Sequence, residues 1–211
     1  MGILVAIEGL DGAGKNTIVG KFHEAAAGRA MTITSTSFPS YGSSVEADLA
    51  AEALHGEHGD LSASAYAMAL LFALDRRRWA QWLRRACDEH DLVLCDRYVA
   101  SNAAYSAARL HQGPDGEVVP WVADLEFTRF GLPLPDHQLL LGVPPEIAME
   151  RAQGRADGDA GRAKDAYERD ADLQTRVYRS YLDLVDAAWI SPWTVADGDE
   201  AVATVLSLVN R

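Results

Sequence analysis

The chain has 211 residues, 48% of them hydrophobic and 24% charged, the balance of a globular protein with one sizeable core. A net charge of −12 disfavours a broad nucleic-acid surface but leaves room for arginines that converge on a small anion. Two cysteines, Cys87 and Cys95, are too few for a disulfide framework, and no apolar run approaches the ~20 residues of a membrane span, so a cytoplasmic protein with neither membrane nor nucleic acid as partner is expected.

Residues 3–7 are apolar and β-branched, with no basic region before them, which predicts a strand buried on both faces of a parallel sheet rather than a signal peptide. A glycine-rich turn leads to a helix over 17–27, stopped by Gly28, and then to a strand over 31–38 ended by Pro39. Helical periodicity covers 44–55 and 62–90. A strand is predicted over 92–96, a helix over 100–110, a loop over 112–120 and a helix over 121–130. Residues 139–143 form a fourth buried strand, with Pro144 opening the next helix. Residues 154–162, GRADGDAGR, are small and polar without a core face and read as a flexible loop. A helix over 165–188, a short strand over 193–195 and a closing helix complete an α/β three-layer pattern in one domain, residues 1–211.

Residues 9–16, GLDGAGKN, fit the phosphate-binding pattern GxxxxGK, with Asn16 where a hydroxyl residue is usual. Glycines let backbone N–H groups turn in around phosphates at the positive end of the following helix, and Lys15 adds a mobile charge. A buried strand precedes the motif and a helix follows it, the context the motif requires. Residues 92–96 then end an apolar strand on Asp96, a position that suits a carboxylate near Mg²⁺, and Arg97 follows at the strand end where open α/β sheets bind ligands. The six histidines show no metal-ligand spacing. Taken singly, Phe72 reads as a core aromatic, Arg76 to Arg78 as a solvated helix face, Tyr105 as a buried tyrosine, and Arg155 and Arg162 as loop charges.

The segment DRYVASNAAYS, residues 96–106, closely resembles the signature of thymidylate kinases. The form GLDGAGK, the segment FPSYG at 38–42 and DAYER at 165–169 occur in the same order at compatible spacings, so the resemblance covers nearly the whole chain. It implies a P-loop NTPase fold with a five-stranded parallel sheet flanked by helices, a homodimer, and transfer of a phosphoryl group from ATP to dTMP with Mg²⁺. Carried over residue by residue, Gly9, Leu10, Asp11, Gly12, Ala13, Gly14, Lys15, Asn16 and Thr17 resemble the ATP-binding loop. A mobile lid at about 151–165 adds Arg155 and Arg162. Asp11, Phe38, Tyr41, Phe72, Arg76, Arg97, Ser101, Asn102, Tyr105, Asp165 and Tyr167 resemble the dTMP site. Within it, Tyr41 and Arg97 hold the phosphate, Phe72 stacks on the base, Arg76, Ser101 and Asn102 meet its edge, and Tyr105 crowds the 2′ position. Asp11, Asp165 and Glu168 resemble the metal set, and Lys15, Arg97, Asp11 and Arg155 the catalytic one. Two departures stand out: Asn16 in place of the hydroxyl, and Ser40 where many relatives carry arginine. A kinase of the same architecture acting on another nucleotide and a nucleotide-dependent switch are the alternative readings.

Overall fold

β1 (Ile3–Glu8), β2 (Ile33–Ser37), β3 (Leu92–Asp96), β4 (His137–Leu141) and β5 (Trp193–Ala196) form one sheet in the order β2-β3-β1-β4-β5, with every neighbouring pair parallel. The structure, a computed structural model, describes residues 2–158 and 165–209, with backbone alone for 155–158. β3 is apolar up to its last residue, and β4 is buried throughout, His137 and Gln138 included, because helices cover both faces, as a parallel sheet demands. β1 is equally buried, yet it ends on Glu8, a fully buried carboxylate.

The helices are α1 (Lys15–Ala27), α2 (Val45–Leu54), α3 (Ala65–Glu89), α4 (Val99–Leu110), α5 (Val118–Ala123), α6 (Pro145–Gly158), α7 (Ala166–Arg169), α8 (Ala171–Asp186) and α9 (Gly198–Val209). Right-handed crossovers explain their grouping. The step from β1 out to β2 carries α1 to one face, where α9 joins it, and the later steps carry α3, α4 and α8 to the other. The chain reverses direction across the sheet around β1. Ligands of such sheets bind beyond the strand carboxyl ends at that point.

Several boundaries differ from the sequence reading. The first helix begins at Lys15 rather than Thr17, since the last glycine of the loop, Gly14, serves as its N-cap. Residues 118–120 of the expected loop already belong to α5. Pro120 is tolerated there because first-turn N–H groups have no intrahelical partner. The chain then runs into a π-helical turn, Asp124–Arg129. The expected loop at 154–162 is helical through Gly158; Ala and Arg residues sustain α6 there, and 159–162 lie outside the described residues. The single helix expected over 165–188 is broken at Asp170, whose side chain accepts the backbone N–H of Leu173 and so caps α8.

Candidate active site

The loop after β1 has the geometry of an anion cradle. Gly12 has φ 94°, and a Cβ there would fall 1.9 Å from the carbonyl oxygen of Ala148 on α6, so this position admits no side chain. Gly14, at φ 95°, turns the chain into α1. Serine or aspartate side chains cap α2, α3 and α8, whereas α1 has no side-chain cap and no acid in its first turn. Its terminal N–H groups therefore remain open to an anion. Lys15 is buried, and its Nζ donates to the carbonyls of Gly9 (3.2 Å) and Leu10 (2.9 Å). Burial and then the Arg97 charge pull its pKa down to about 8. Asn16 and Thr17 are exposed on the first turn.

At the end of β3 the backbone of Arg97 adopts φ 66°, an unusual conformation for a non-glycine residue, costing about 1–3 kcal/mol. The turn is fixed on both sides: Arg97 N–H donates to Ile7 O (2.8 Å), and Tyr98 N–H donates to Glu8 Oε1 (2.9 Å). It aims the guanidinium back over β1. Arg97 Nη2 lies 2.7 Å from Asp11 Oδ1, Nη1 donates to Ser101 Oγ (3.1 Å) and Tyr181 OH (3.4 Å), and the group sits 5.4 Å from the Tyr105 ring centroid. Behind it, Glu8 Oε2 accepts from Ser101 Oγ (2.5 Å) and Tyr181 OH (3.1 Å). Burial pushes the Glu8 carboxyl up, while Ser101 and Arg97 offset part of the shift. Asp11 behaves oppositely: against its burial, Arg97 and Lys15 hold its carboxyl well below the usual range. Lys15 and Arg97 thus both act on Asp11. Burial raises the pKa of the neighbouring Asp96.

The proposed acceptor side is lined from α3, α4 and the loop after β2. Phe38 is buried core, edge-on to Trp79 at 6.0 Å, whereas Tyr41 is half-exposed. Phe72 is partly buried, packed against the cluster of Ala50, Ala53, Leu54 and Met68. Arg76 is no solvated charge: its Nε and Nη2 meet Glu126 at 2.6 and 2.7 Å in a buried, bidentate pair. Asn102 Nδ2 donates to the same Glu126 (2.8 Å) and to Ala69 O (2.9 Å). Ser101 differs from its expected place beside Asn102 at a base edge. Its hydroxyl faces Glu8, Tyr181 and Arg97, because successive helical residues point about 100° apart.

Tyr105 donates to Asp11 Oδ2 (3.1 Å) and stacks on Tyr167, centroids 5.8 Å apart. Arg109 donates to the Tyr167 hydroxyl and to the carbonyls of Ser62 (2.6 Å) and Ala63 (3.0 Å), tying α7 to the turn before α3. Burial is the first cause lifting the Tyr167 phenol to about 12. Asp165 and Glu168 form a reciprocal capping box on α7. Burial raises the Asp165 carboxyl, and Asp11 adds to the shift. Among the described residues, the one set of three acid or histidine ligand atoms within 4.8 Å of one another is the exposed Glu52, Glu57 and His58; Asp11, Asp165 and Glu168 are not gathered so tightly. The Arg155 side chain and Arg162 lie outside the described residues.

Sequence reasoning missed Glu8, Asp75, Arg109, Glu126 and Tyr181. Glu8 carried a readable signal, an acid ending a wholly apolar strand. The others depend on partners far along the chain.

A family model described as thymidylate kinase matches residues 7–202. The thymidylate kinase of Mycobacterium tuberculosis is 53% identical over 197 residues, spanning 93% of this chain and 92% of that protein. A protein named probable thymidylate kinase from Thermococcus gammatolerans is 32% identical over 190 residues, spanning 88% of this chain and 84% of its own length. A solved thymidylate kinase from Candida albicans superposes with a TM-score of 0.70 at 22% identity, covering 99% of this chain and 91% of that one, a likeness of fold. Among the described residues no helix is long and apolar enough to cross a membrane.

Proposed function

The chain belongs to the thymidylate kinase family, and on that premise we propose that it transfers the γ-phosphoryl group of ATP to dTMP, giving ADP and dTDP. The observation that carries this reading is Asp11, on which the P-loop lysine and the Arg97 guanidinium both act. A donor phosphate at the α1 N-terminus and an acceptor phosphate at Arg97 then face each other across one residue.

The acceptor needs no general base. A phosphate monoester has a second pKa near ~6 and is already nucleophilic at neutral pH. The site's task is to neutralise charge and hold the reactants in line. Lys15 exchanges the Gly9 and Leu10 carbonyls for β- and γ-phosphate oxygens, which raises its pKa and keeps it charged. Arg97, with Tyr41 beside it, takes the acceptor phosphate. Phe72 lies under the base, and the Arg76–Glu126–Asn102 network meets its edge: Glu126 and Ala69 occupy the Asn102 amide nitrogen, which leaves its carbonyl for a base N–H. Tyr105 fills the space beside the sugar. Arg155, on the lid, meets charge developing on the transferred group.

Asp11, Asp165 and Glu168 would hold Mg²⁺. Their all-oxygen donor set suits that ion, and the upward pull of Asp11 on the Asp165 carboxyl is repulsion that a cation relieves. When bound, the ion contributes charge neutralisation between the phosphates. The exposed apolar side chains of Val45 on α2 and of Tyr66 and Leu70 on α3 support a homodimer, and the cytoplasm is its proposed location.

A coupled assay of ADP formation tests the substrate. Turnover with Mg-ATP should fall in the order dTMP, dUMP, then dCMP and dAMP, because the thymine methyl adds apolar contact worth ~1–3 kcal/mol over dUMP. A preference for dCMP or dAMP would overturn the assignment.

A further inference from the structure

Phe72, Asp75, Arg76 and Trp79 stand at i, i+3, i+4 and i+7 on α3 and so share one helix face. Phe72 and Arg76 belong to the proposed base site, whereas the reaction as described leaves Asp75 without a task. Asp75 is completely buried and makes no ion pair among the described residues. Ser40 supplies a donor to each of its carboxylate oxygens. The Ser40 backbone N–H donates to Oδ2 at 2.9 Å, and the Ser40 hydroxyl donates to Oδ1. The Trp79 indole, a donor only, points at Ser40 Oγ from 3.4 Å, so the hydroxyl proton is directed to Asp75. A buried carboxylate tolerates its desolvation only with such donors, which makes the pairing specific to this residue.

Asp75 thereby anchors the loop after β2. β2 is an edge strand, with β3 as its one neighbour, so the loop leaves the sheet with little lateral support. Phe38 N–H donates to Asp96 O (2.9 Å), Ser43 N–H closes a turn onto Ser40 O (3.1 Å), and Tyr41 sits inside that turn. The Tyr41 phenol stands in the field of Asp165, Asp11 and Arg97.

We infer that Asp75 is a positioning residue for the acceptor nucleotide: through Ser40 it fixes the Tyr41 turn against α3, setting the distance between the phosphate contact and the base contacts. The inference rests on the reading of Tyr41 as a phosphate contact and of Phe72 and Arg76 as base contacts. It explains why Ser40 is turned into the protein instead of toward the phosphate. It also separates the two ends of the nucleotide, because the anchor bears on the phosphate end while the base contacts keep their own support in Glu126.

Steady-state kinetics on the full-length enzyme test this with Asp75→Asn and Ser40→Ala, the latter removing one hydroxyl and leaving the backbone hydrogen bond. Each variant's melting temperature is checked first. Asp75→Asn should raise the dTMP KM about tenfold and lower kcat several-fold, with Ser40→Ala intermediate. The ATP KM and the inhibition constant of thymidine, which lacks the phosphate, should stay within about twofold. In a Tyr41→Phe background, Asp75→Asn should add less than about threefold. An unchanged dTMP KM in both anchor variants, a parallel rise for thymidine, or full additivity with Tyr41→Phe would overturn the inference. If Tyr41→Phe alone leaves the dTMP KM unchanged, the phosphate is not at that turn, and the underlying reading falls with the inference.

Discussion

Lys15 carries a charge whose value depends on what surrounds it. It is buried against two carbonyls and repelled by Arg97, which pulls its pKa down to about 8 from an ordinary 10.5. The unfolded chain therefore binds a proton that the folded chain gives up between those two values, so this residue makes folding less favourable at neutral pH and the penalty fades as pH rises through that window. ATP binding requires the protonated form. The ATP KM should climb as pH rises from 7 to 9, whereas Lys15→Arg should bind ATP less well but with a flat profile. Parallel slopes in the two proteins would show that another group titrates. Tyr105 makes a different kind of prediction at this scale. Its ring is held by Asp11 and Tyr167, and the proposed reading sets it beside the sugar. Tyr105→Ala should raise the ratio of ribo- to deoxyribonucleotide turnover while overall activity falls. An unchanged ratio would make Tyr105 a packing residue.

Elements, rather than single residues, explain the Arg76 network. α3 supplies Arg76, α4 supplies Asn102, and the π-helical turn after α5 brings Glu126 inward to meet both. Functional sites often use such turns to redirect a side chain. Arg76→Ala would leave Glu126 buried without its ion-pair partner, with Asn102 still donating to it, a loss of about 3–5 kcal/mol. Urea unfolding should detect it, and a double change with Glu126→Gln should recover part of the loss. Equal stability of Arg76→Ala and the parent protein would mean that Glu126 finds other partners.

The same elements mark what was legible in the sequence. The P-loop, Asp96 and Arg97 were readable because each is local: a strand, a turn and a side chain within a few residues. Gly154 and Gly158 misled, since glycine lowers helix propensity while tertiary context keeps α6 helical through both. Glu126 carried no local signal because its partner Arg76 lies 50 positions away, and Tyr181 meets Glu8 across 173. The resemblance sets Ser101 with Asn102 at the base edge, yet its hydroxyl meets Glu8 and Tyr181, because adjacent helical residues face different neighbours. Pairings of this kind arise from sheet order and helix packing, which no local pattern encodes.

The whole molecule sets the P-loop, Arg97 and the Tyr41 turn at one end of one sheet. β1 brings the P-loop, β3 brings Arg97, and β2, whose Ser37 stands in register with Asp96, brings the Tyr41 turn alongside. A nucleotide switch would need the P-loop alone; on the proposed reading, Arg97 beside Asp11 holds a second phosphate, that of the acceptor. The two phosphates must then exchange a group directly, with no phosphorylated protein between them. Phosphorus NMR of a reaction containing enzyme, Mg-ATP and dTMP follows every phosphoryl group at once. One ADP and one dTDP should appear for each ATP consumed, with inorganic phosphate at background and ATP nearly unchanged when dTMP is omitted. Release of inorganic phosphate at a comparable rate without dTMP would contradict the account.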